Sequence, residues 1–485
     1  MRRLLDTQLS TRSVGYHLLH EPRRPVAVRE SPRAHWYVVA TVCIGAFMGQ
    51  LDASIVTVAL PRMGRDLHAT LGAVEWVALA YLLVLVATVA TVGRIADAVG
   101  RKLLYVYGFG VFSVGSALCG LAPTLTILVA ARVLQAVGAA MLQANSVALI
   151  AEAMPRRMLG RAIGVQGSAQ ALGLALGPAV GGILLSLAGW RFIFLVNLPA
   201  GLIGLALGWF LLPRSRSRRE LGAADGLGAG LLALAAMGPL VYLSLAGGEG
   251  YANAVLLACL AGGVVAAAGF VRRERRVIAP LIDLSILRRH GLAAGLGSGL
   301  VSYLALFGTL FIVPYYLSAD HDSATQIGLQ LAVLPVAIGI TAPIAGRLVT
   351  HVSVRWLTAG GLMLAAGGML TIAVEHRTAG ILAGLAVTGV GLGLFTPANN
   401  AEVMSASPPG HAGVIGGMLN MTRGLGTALG VALAGALFTA AVGVAGARIA
   451  DAGVAAVGHG LTAALGTIGL VTLATAVALW FSDRT

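Results

Sequence analysis

The sequence predicts an all-α integral membrane protein, a bundle of about fourteen membrane-crossing helices. Three observations carry that expectation: extreme apolarity, recurrent apolar runs of spanning length, and basic residues confined largely to alternate loops. Of the 485 residues, 58% are hydrophobic and only 11% are charged, with 66 glycines. No stretch between the apolar runs is long enough to fold as a water-soluble domain. Backbone polar groups cannot stay unpaired in lipid, so successive apolar runs must be helices packed side by side.

A helix rises ~1.5 Å per residue and the hydrocarbon core is ~30 Å thick, so about 20 apolar residues span it. By that criterion the candidate helices of the first part cover 36–60, 74–92, 103–121, 125–151, 162–188 and 192–212. A charged break, Arg214-Ser215-Arg216-Ser217-Arg218-Arg219-Glu220, ends this group. Two further runs, 227–246 and 251–271, follow before a second basic break, Arg272 to Arg276 through Arg288-Arg289. The remaining runs are 292–317, 328–346, 356–374, 380–400, 412–440 and 461–480. The stretch 1–35 is polar, without apolar periodicity, and is expected to be a disordered tail; no cleavable signal peptide is read in it.

Gly93-Arg94 at the end of the second run recurs as Gly346-Arg347 at the end of the tenth, 253 residues later. Six helices plus two inserted ones account for that offset. The expected organisation is therefore a tail (1–35), a six-helix half (36–212), a linker with two extra helices (213–291) and a second six-helix half (292–485). Parallel six-helix repeats are a transporter signature, with the substrate site at their interface.

Orientation follows from charge. Arg62, Arg65, Arg191, Arg377 and Arg448 fall on one side, Arg132 and Arg423 lie within spans, and all the other basic residues of the 33 fall on the side of the termini. The positive-inside rule puts both termini in the cytoplasm, in agreement with an even number of spans. The net charge of +14 is then a matter of topology and anionic headgroups, not of nucleic-acid binding.

Several functions are excluded or disfavoured. The only lysine, Lys102, is followed by Leu103, so no nucleotide-binding Gly-Lys-Ser/Thr loop exists to drive an ATPase. Cys43, Cys119 and Cys259 lie in apolar runs and read as small core residues, with neither disulfide nor metal spacing. Gly389-Val390-Gly391-Leu392-Gly393 has no preceding strand and reads as helix packing. A membrane enzyme would need a polar catalytic cluster; the spans are read as free of histidine, and the loop histidines have no metal-ligand spacing.

Asp52 is read as the only acid within any span. It sits in Leu51-Asp52-Ala53-Ser54-Ile55-Val56-Thr57-Val58-Ala59-Leu60-Pro61, in the outer half of the first run. A charge there costs roughly 2.5–3.5 kcal/mol on insertion scales, so it serves ions, protons or substrate, or else belongs to a structural pair. Arg132 lies about eight residues inside the outer end of the fourth run and Asp52 about eight inside that of the first, which matches their depths at ~12 Å. Gln135, Gln143 and Asn145 follow Arg132 along its helix and either line a cavity or satisfy one another. Arg423, near the inner end of the thirteenth run, either snorkels to the interface or serves the interior.

Three more segments join the Leu51–Pro61 string. Gly93-Arg94-Ile95-Ala96-Asp97-Ala98-Val99-Gly100-Arg101-Lys102 is placed in the loop after the second span. Arg132-Val133-Leu134-Gln135-Ala136-Val137-Gly138-Ala139-Ala140 lies in the fourth. Gly173-Leu174-Ala175-Leu176-Gly177-Pro178-Ala179-Val180-Gly181-Gly182 lies in the fifth. Together they resemble the major facilitator superfamily, in its fourteen-helix drug–proton antiporter branch (EmrB/QacA-type exporters), and Trp190-Arg191-Phe192-Ile193-Phe194-Leu195-Val196-Asn197-Leu198-Pro199 is similar to the same branch. The resemblance covers nearly all of the chain after His35. Ser54 and Thr57 stand where the family usually has Thr and Asn, and Ala136 replaces a usual Gly.

The resemblance implies the major facilitator fold, with the first and fourth helices side by side on a central cavity and Asp52 and Arg132 as a proton-coupling pair. It implies that Gly93, Arg94, Asp97, Gly100, Arg101 and Lys102 form a cytoplasmic latch; a topology-setting basic loop is the plainer alternative. It links Gly173, Gly177, Pro178, Gly181 and Gly182 to export and a tight outer seal, although such small-residue spacing also serves general helix packing. The expected function is proton-driven efflux of a hydrophobic, neutral or monocationic small molecule, with an importer or uncoupled facilitator as the rival. The absence of further span carboxylates is what disfavours dicationic substrates. Partners are expected to be substrate, protons and the lipid bilayer, with no nucleic acid, cofactor, metal or catalytic residue, and the chain acting as a monomer in a bacterial inner membrane.

Overall fold

The computed structural model describes residues 21, 24–155, 158–215, 226–277, 291–319, 322–349, 351–406, 412–442 and 453–481. Fourteen helices in it are long and apolar enough to cross a membrane. They are α1 (Ala34–Asp66), α2 (Trp76–Val99), α3 (Arg101–Leu121), α4 (Leu125–Ala153), α5 (Leu159–Leu187), α6 (Asn197–Leu211) and α7 (Gly226–Glu249), then α8 (Ala254–Glu274), α9 (Leu292–Ala319), α10 (Ala324–Leu348), α11 (Val354–Val374), α12 (Thr378–Ser405), α13 (Ala412–Val442) and α14 (Val454–Phe481). One-turn helices Leu71–Val74 and Phe192–Leu195 lead into α2 and α6 and belong to the same spans, Leu71–Val89 and Phe192–Leu211. Among the described residues there is no strand.

Helix starts follow local chemistry. The Thr124 side chain accepts the Ile127 N–H at 3.3 Å to cap α4, Asn253 caps α8, and Ser323 with Gln326 forms a reciprocal box on α10. Internal prolines, Pro61 in α1, Pro178 in α5 and Pro397 in α12, are tolerated because neighbouring helices shield the freed backbone groups.

The packing repeats. Among the first six spans, α1 packs on α5 and α6, α4 on α2 and α3, and α3 on α6. Among the last six, α9 packs on α13 and α14, α12 on α10 and α11, and α11 on α14. These are the same pairs with the helix number raised by eight. Gly93-Arg94 on α2 and Gly346-Arg347 on α10 occupy corresponding helices. Helix α7 packs on α8, α13 and α2, so the inserted pair flanks both groups.

The two groups meet through α5 with α10, α2 with α13, and α1 with α9. Contacts at the end away from the chain termini, here the far end, include Ser186 Oγ accepting from Thr325 Oγ1 at 2.9 Å and the close approach of Gly182 to Gly328. A Cβ at Gly182 would run into Ala324 O and the Gly328 backbone, so only glycine permits the α5–α10 contact.

Four expectations need correction. The segment Gly93–Lys102 is not a loop: α2 continues to Val99, and Gly100 alone, at φ 126°, turns the chain into α3. That φ is a conformation only glycine adopts readily. The end of the tail is ordered, with a turn of helix at Val26–Arg29 and Glu21 buried, its carboxylate accepting Ser215 N–H and O–H, both at 2.7 Å; residues 1–20 lie outside the described residues. Asp52 is not the only acid in a span, because Glu75 is buried within Leu71–Val89. Histidines are not absent from the spans either: His35 begins α1 and His459 lies in α14, since both helices extend beyond their apolar runs.

Candidate functional site

A polar network sits inside the first six spans, enclosed by hydrocarbon. Asp52 on α1 is 0% exposed and Arg132 on α4 is 1% exposed. Arg132 Nη1 donates to Asp52 Oδ2 at 2.6 Å. Gln135, one turn on, donates from Nε2 to Asp52 Oδ1 at 2.8 Å and accepts from Arg132 Nη1 at 2.7 Å. Asn197 at the start of α6 donates to Asp52 Oδ1 at 2.9 Å. Arg132 Nε donates to the Val77 carbonyl of α2 at 2.8 Å, and Ser116 Oγ of α3 lies 2.8 Å from Gln135 Nε2. Every group facing the Asp52 oxygens is an N–H donor, the environment of an ionised carboxylate. Five of the first six helices therefore converge on one charge pair.

Aromatic rings cover the guanidinium. Arg132 Cζ lies 4.2 Å from the Tyr81 ring centroid and 5.7 Å from that of Phe194. Phe194 is held edge-on by Trp190 at 6.3 Å. The segment Trp190–Pro199 thus delivers both a ring and Asn197 to the network. Its sequence singled out neither residue, because the partners are remote in the chain.

A cavity opens beside this network, between the first and last groups of spans. Gly49 and Ala53, on either side of Asp52, form part of its wall, with Tyr81 and Phe112 nearby and Tyr303 and Phe307 of α9 opposite. Tyr81 belongs to both places, lining the cavity and lying over Arg132. Polar wall groups are Gln50, Gln143, Ser146, Gln170, Asn420 and Thr427. Arg423 is also in the wall, its guanidinium 5.6 Å from the Tyr303 ring, so it does not snorkel to the lipid interface. No carboxylate lines this cavity among the described residues.

The three amide residues expected on the cavity separate. Gln143 lines it. Gln135 is 0% exposed and belongs to the charge network. Asn145 is buried with its Nδ2 donating to the Met141 carbonyl of its own helix at 2.8 Å.

The glycine-rich run of α5 faces two ways. Gly173 and Gly177 press on α1 at Phe47 and Ser54, next to the Asp52 turn, and Gly181 packs on Ile55, while Gly182 meets α10. Pro178 lies in the helix between them, and its carbonyl faces Gly328. In the Gly93–Lys102 segment, Gly93 faces Ala144 of α4, Arg101 Nη1 forms a 2.6 Å ion pair with Glu152 Oε1 of α4, and the Lys102 N–H donates to Ser215 Oγ at 3.3 Å. Arg94 lies on the same turn of α2; the Asp97 side chain lies outside the described residues.

A model of the Major Facilitator Superfamily matches residues 42–310 and 295–485. The chain is 32% identical over 410 residues to the riboflavin transporter RibZ of Clostridioides difficile (strain 630), covering 83% of this chain and 88% of that protein. It is 32% identical over 413 residues to the tetracenomycin C resistance and export protein of Streptomyces glaucescens, covering 84% and 77%. It is 32% identical over 402 residues to the multidrug resistance protein Stp of Mycobacterium tuberculosis (strain CDC 1551 / Oshkosh), covering 82% and 74%. In fold it is similar to a crystal structure of a bacterial homologue of the human lysosomal transporter Spinster, with TM-score 0.67, 16% identity and coverage of 93% of this chain and 97% of that one.

Proposed function

The chain belongs to the Major Facilitator Superfamily, whose members are membrane transporters and not enzymes, and from that premise we propose that it is a proton-coupled exporter of hydrophobic small molecules working by alternating access. Relatives named for multidrug resistance and antibiotic export support this reading. The observation that carries it is the sharing of Tyr81 between the cavity wall and the Arg132–Asp52 pair. A substrate against Tyr81 alters the cover over Arg132. A proton on Asp52 removes the ion pair and leaves Arg132 to the Val77 carbonyl, Gln135 and Tyr81. Proton and substrate thereby act on one set of contacts from two sides. The driving force suffices, since each charge moved gains ~2.3 kcal/mol per 100 mV.

Substrate class follows from the wall. Aromatic and aliphatic side chains favour a flat hydrophobic molecule, with amides for orientation. The positive Arg423 and the lack of a lining carboxylate favour neutral or weakly acidic substrates over the monocations that the sequence left open. The termini lie in the cytoplasm of a bacterial cell, by the charge bias of the loops, and the far end faces outward. The Gly93–Lys102 segment is a cytoplasmic latch, and Gly173–Gly182 shuts the outer side. The chain acts as a monomer.

Purified full-length protein in vesicles tests the reading. An imposed pH gradient should drive accumulation of a hydrophobic dye by the wild type and not by Asp52→Asn. Undiminished gradient-driven transport by Asp52→Asn would remove Asp52 from coupling. A second reading, transport in the opposite direction or without protons, is favoured by the relative named as a riboflavin transporter. Proton-free transport requires a wild-type rate that persists when the pH gradient is collapsed, and import requires dye movement in the same direction as the protons under the imposed gradient.

A further inference from the structure

Glu75 is a buried carboxyl that the network around Asp52 does not use. It stands where Leu71–Val74 turns into α2, at the far end, and α7 and α13 cover it. Ser244 of α7 is one contact. Gly435 of α13 is another, because a Cβ there would overlap Glu75 Oε1. Tyr315 of α9 lies nearby, its ring 6.3 Å from that of Phe438, one turn along α13 from Gly435. The carboxyl thus joins the first spans, the last spans and the inserted pair at one point of the far-end contact.

Hydrogen-bond geometry accommodates a proton on Glu75. Ser244 Oγ lies 2.9 Å from Glu75 Oε2 and 3.0 Å from the Gly72 carbonyl. A serine hydroxyl has one proton, and a carbonyl only accepts. Both contacts are hydrogen bonds at once when Ser244 donates to Gly72 O and a protonated Glu75 donates to Ser244 Oγ. Asp52 is the opposite case, with N–H donors on both oxygens.

No described cation pairs with Glu75. The titratable groups around it are tyrosines: Tyr315, whose buried hydroxyl has no hydrogen-bond partner among the described residues; Tyr251, whose hydroxyl donates to Ala436 O at 3.2 Å; and Tyr242 on α7, donating to Tyr251 O at 3.2 Å. Neither Leu71–Val74 nor the Gly435 turn of α13 contributes a titratable side chain, and His68 in the preceding turn is exposed. An isolated carboxylate in such a junction is strongly disfavoured against the neutral acid.

We propose that Glu75 is a proton-binding residue of the far-end seal, neutral while the seal is shut and ionised while it is open. The proton comes from far-side water and returns to it, so none crosses the membrane by this route. Its loss to far-side water leaves a charge that the shut junction does not accommodate, so the open state gains as far-side pH rises. Glu75 lies two residues before Val77, whose carbonyl holds Arg132, which places the seal and the charge pair on one turn of helix. The inference rests on alternating access, but not on Asp52 being the coupling site.

The test is a spin–spin distance across the far end in full-length protein in lipid nanodiscs, with labels at Leu187→Cys and Arg377→Cys and the native cysteines replaced. In the wild type the long-distance population should be larger at about pH 9 than at about pH 5, because alkaline far-side water removes the proton from a carboxyl and acidic water restores it. Glu75→Gln, whose amide reproduces the donor of the protonated acid, should stay short at every pH. Glu75→Asp should keep a pH response, and so should Asp52→Asn, even though the latter loses coupled transport. A wild-type response in Glu75→Gln would overturn the proposal, as would a wild-type distance that stays short throughout. Loss of the response in Asp52→Asn but not in Glu75→Gln would assign it to the charge pair instead. Failure of gradient-driven dye transport in the wild type would count against proton-coupled export and leave the distance result to stand on its own.

Discussion

The first and last groups of six spans join corresponding helices by different chemistry. In the first, α1 and α4 are bridged by the Asp52–Arg132 ion pair, with Gln135 and Asn197 completing it. In the last, α9 and α12 are bridged by neutral groups: Asn399 Nδ2 donates to Gly295 O at 3.0 Å and Ser298 Oγ donates to Asn399 Oδ1 at 3.3 Å. Among the described residues, a repeated architecture therefore carries its buried ion pair in the first six spans only. The difference teaches that helix packing can be shared while a buried ion pair is confined to one repeat, the other supplying Tyr303, Phe307, Asn420, Arg423 and Thr427 to the cavity wall.

The largest way to break that contrast is Arg132→Gln. It leaves Asp52 buried and unpaired, and should cost roughly 3–5 kcal/mol, read as a fall in thermal unfolding temperature in detergent. The double variant Asp52→Asn/Arg132→Gln should recover most of that stability without recovering coupled transport. Proton-driven transport surviving in the double variant would reduce the pair to a structural bridge, and the cycle of four proteins measures the coupling directly.

Asn399→Ala is the matching break in the last spans. It removes two neutral hydrogen bonds and should cost about 1–3 kcal/mol. Proton-to-substrate stoichiometry should not change. A changed stoichiometry would show that the last spans share in the proton chemistry.

Asp97→Asn probes the latch and should slow turnover with little change in KM, measured with the same dye in vesicles. A normal turnover with an altered substrate range would contradict a latch role. The smallest effect is expected of Arg423→Gln. Loss of a partly exposed charge should improve KM for a monocationic dye by roughly 1 kcal/mol, about fivefold, while a neutral dye is unaffected. Equal KM shifts for both dyes would mean that Arg423 acts on cavity shape and not on charge.

Much of this was legible in the residues. The fourteen spans follow from apolar runs of bilayer length, and their ends differ because helices such as α1 and α14 continue past the hydrocarbon. The depth match of Asp52 and Arg132 follows from the rise per residue alone. Asn197 is 145 positions from Asp52, and only tertiary packing brings it to the carboxylate. Glu75 stands at the edge of its apolar run, where an acid reads as interfacial; α7 and α13 cover it, and neither is adjacent in sequence. Arg423 required knowledge of the rotation of α13 about its axis, which a near-uniform apolar helix does not encode. The same uniformity hid that Gln135 and Gln143, two turns apart on α4, serve different places.

Substrate-induced proton release by purified full-length protein in weakly buffered detergent tests proton coupling at Asp52 most directly. Addition of a transported dye near neutral pH should release protons in proportion to the protein present, and the Asp52→Asn variant should release none. Equal release from both proteins, or none from a wild type that binds the dye, would contradict coupling through Asp52.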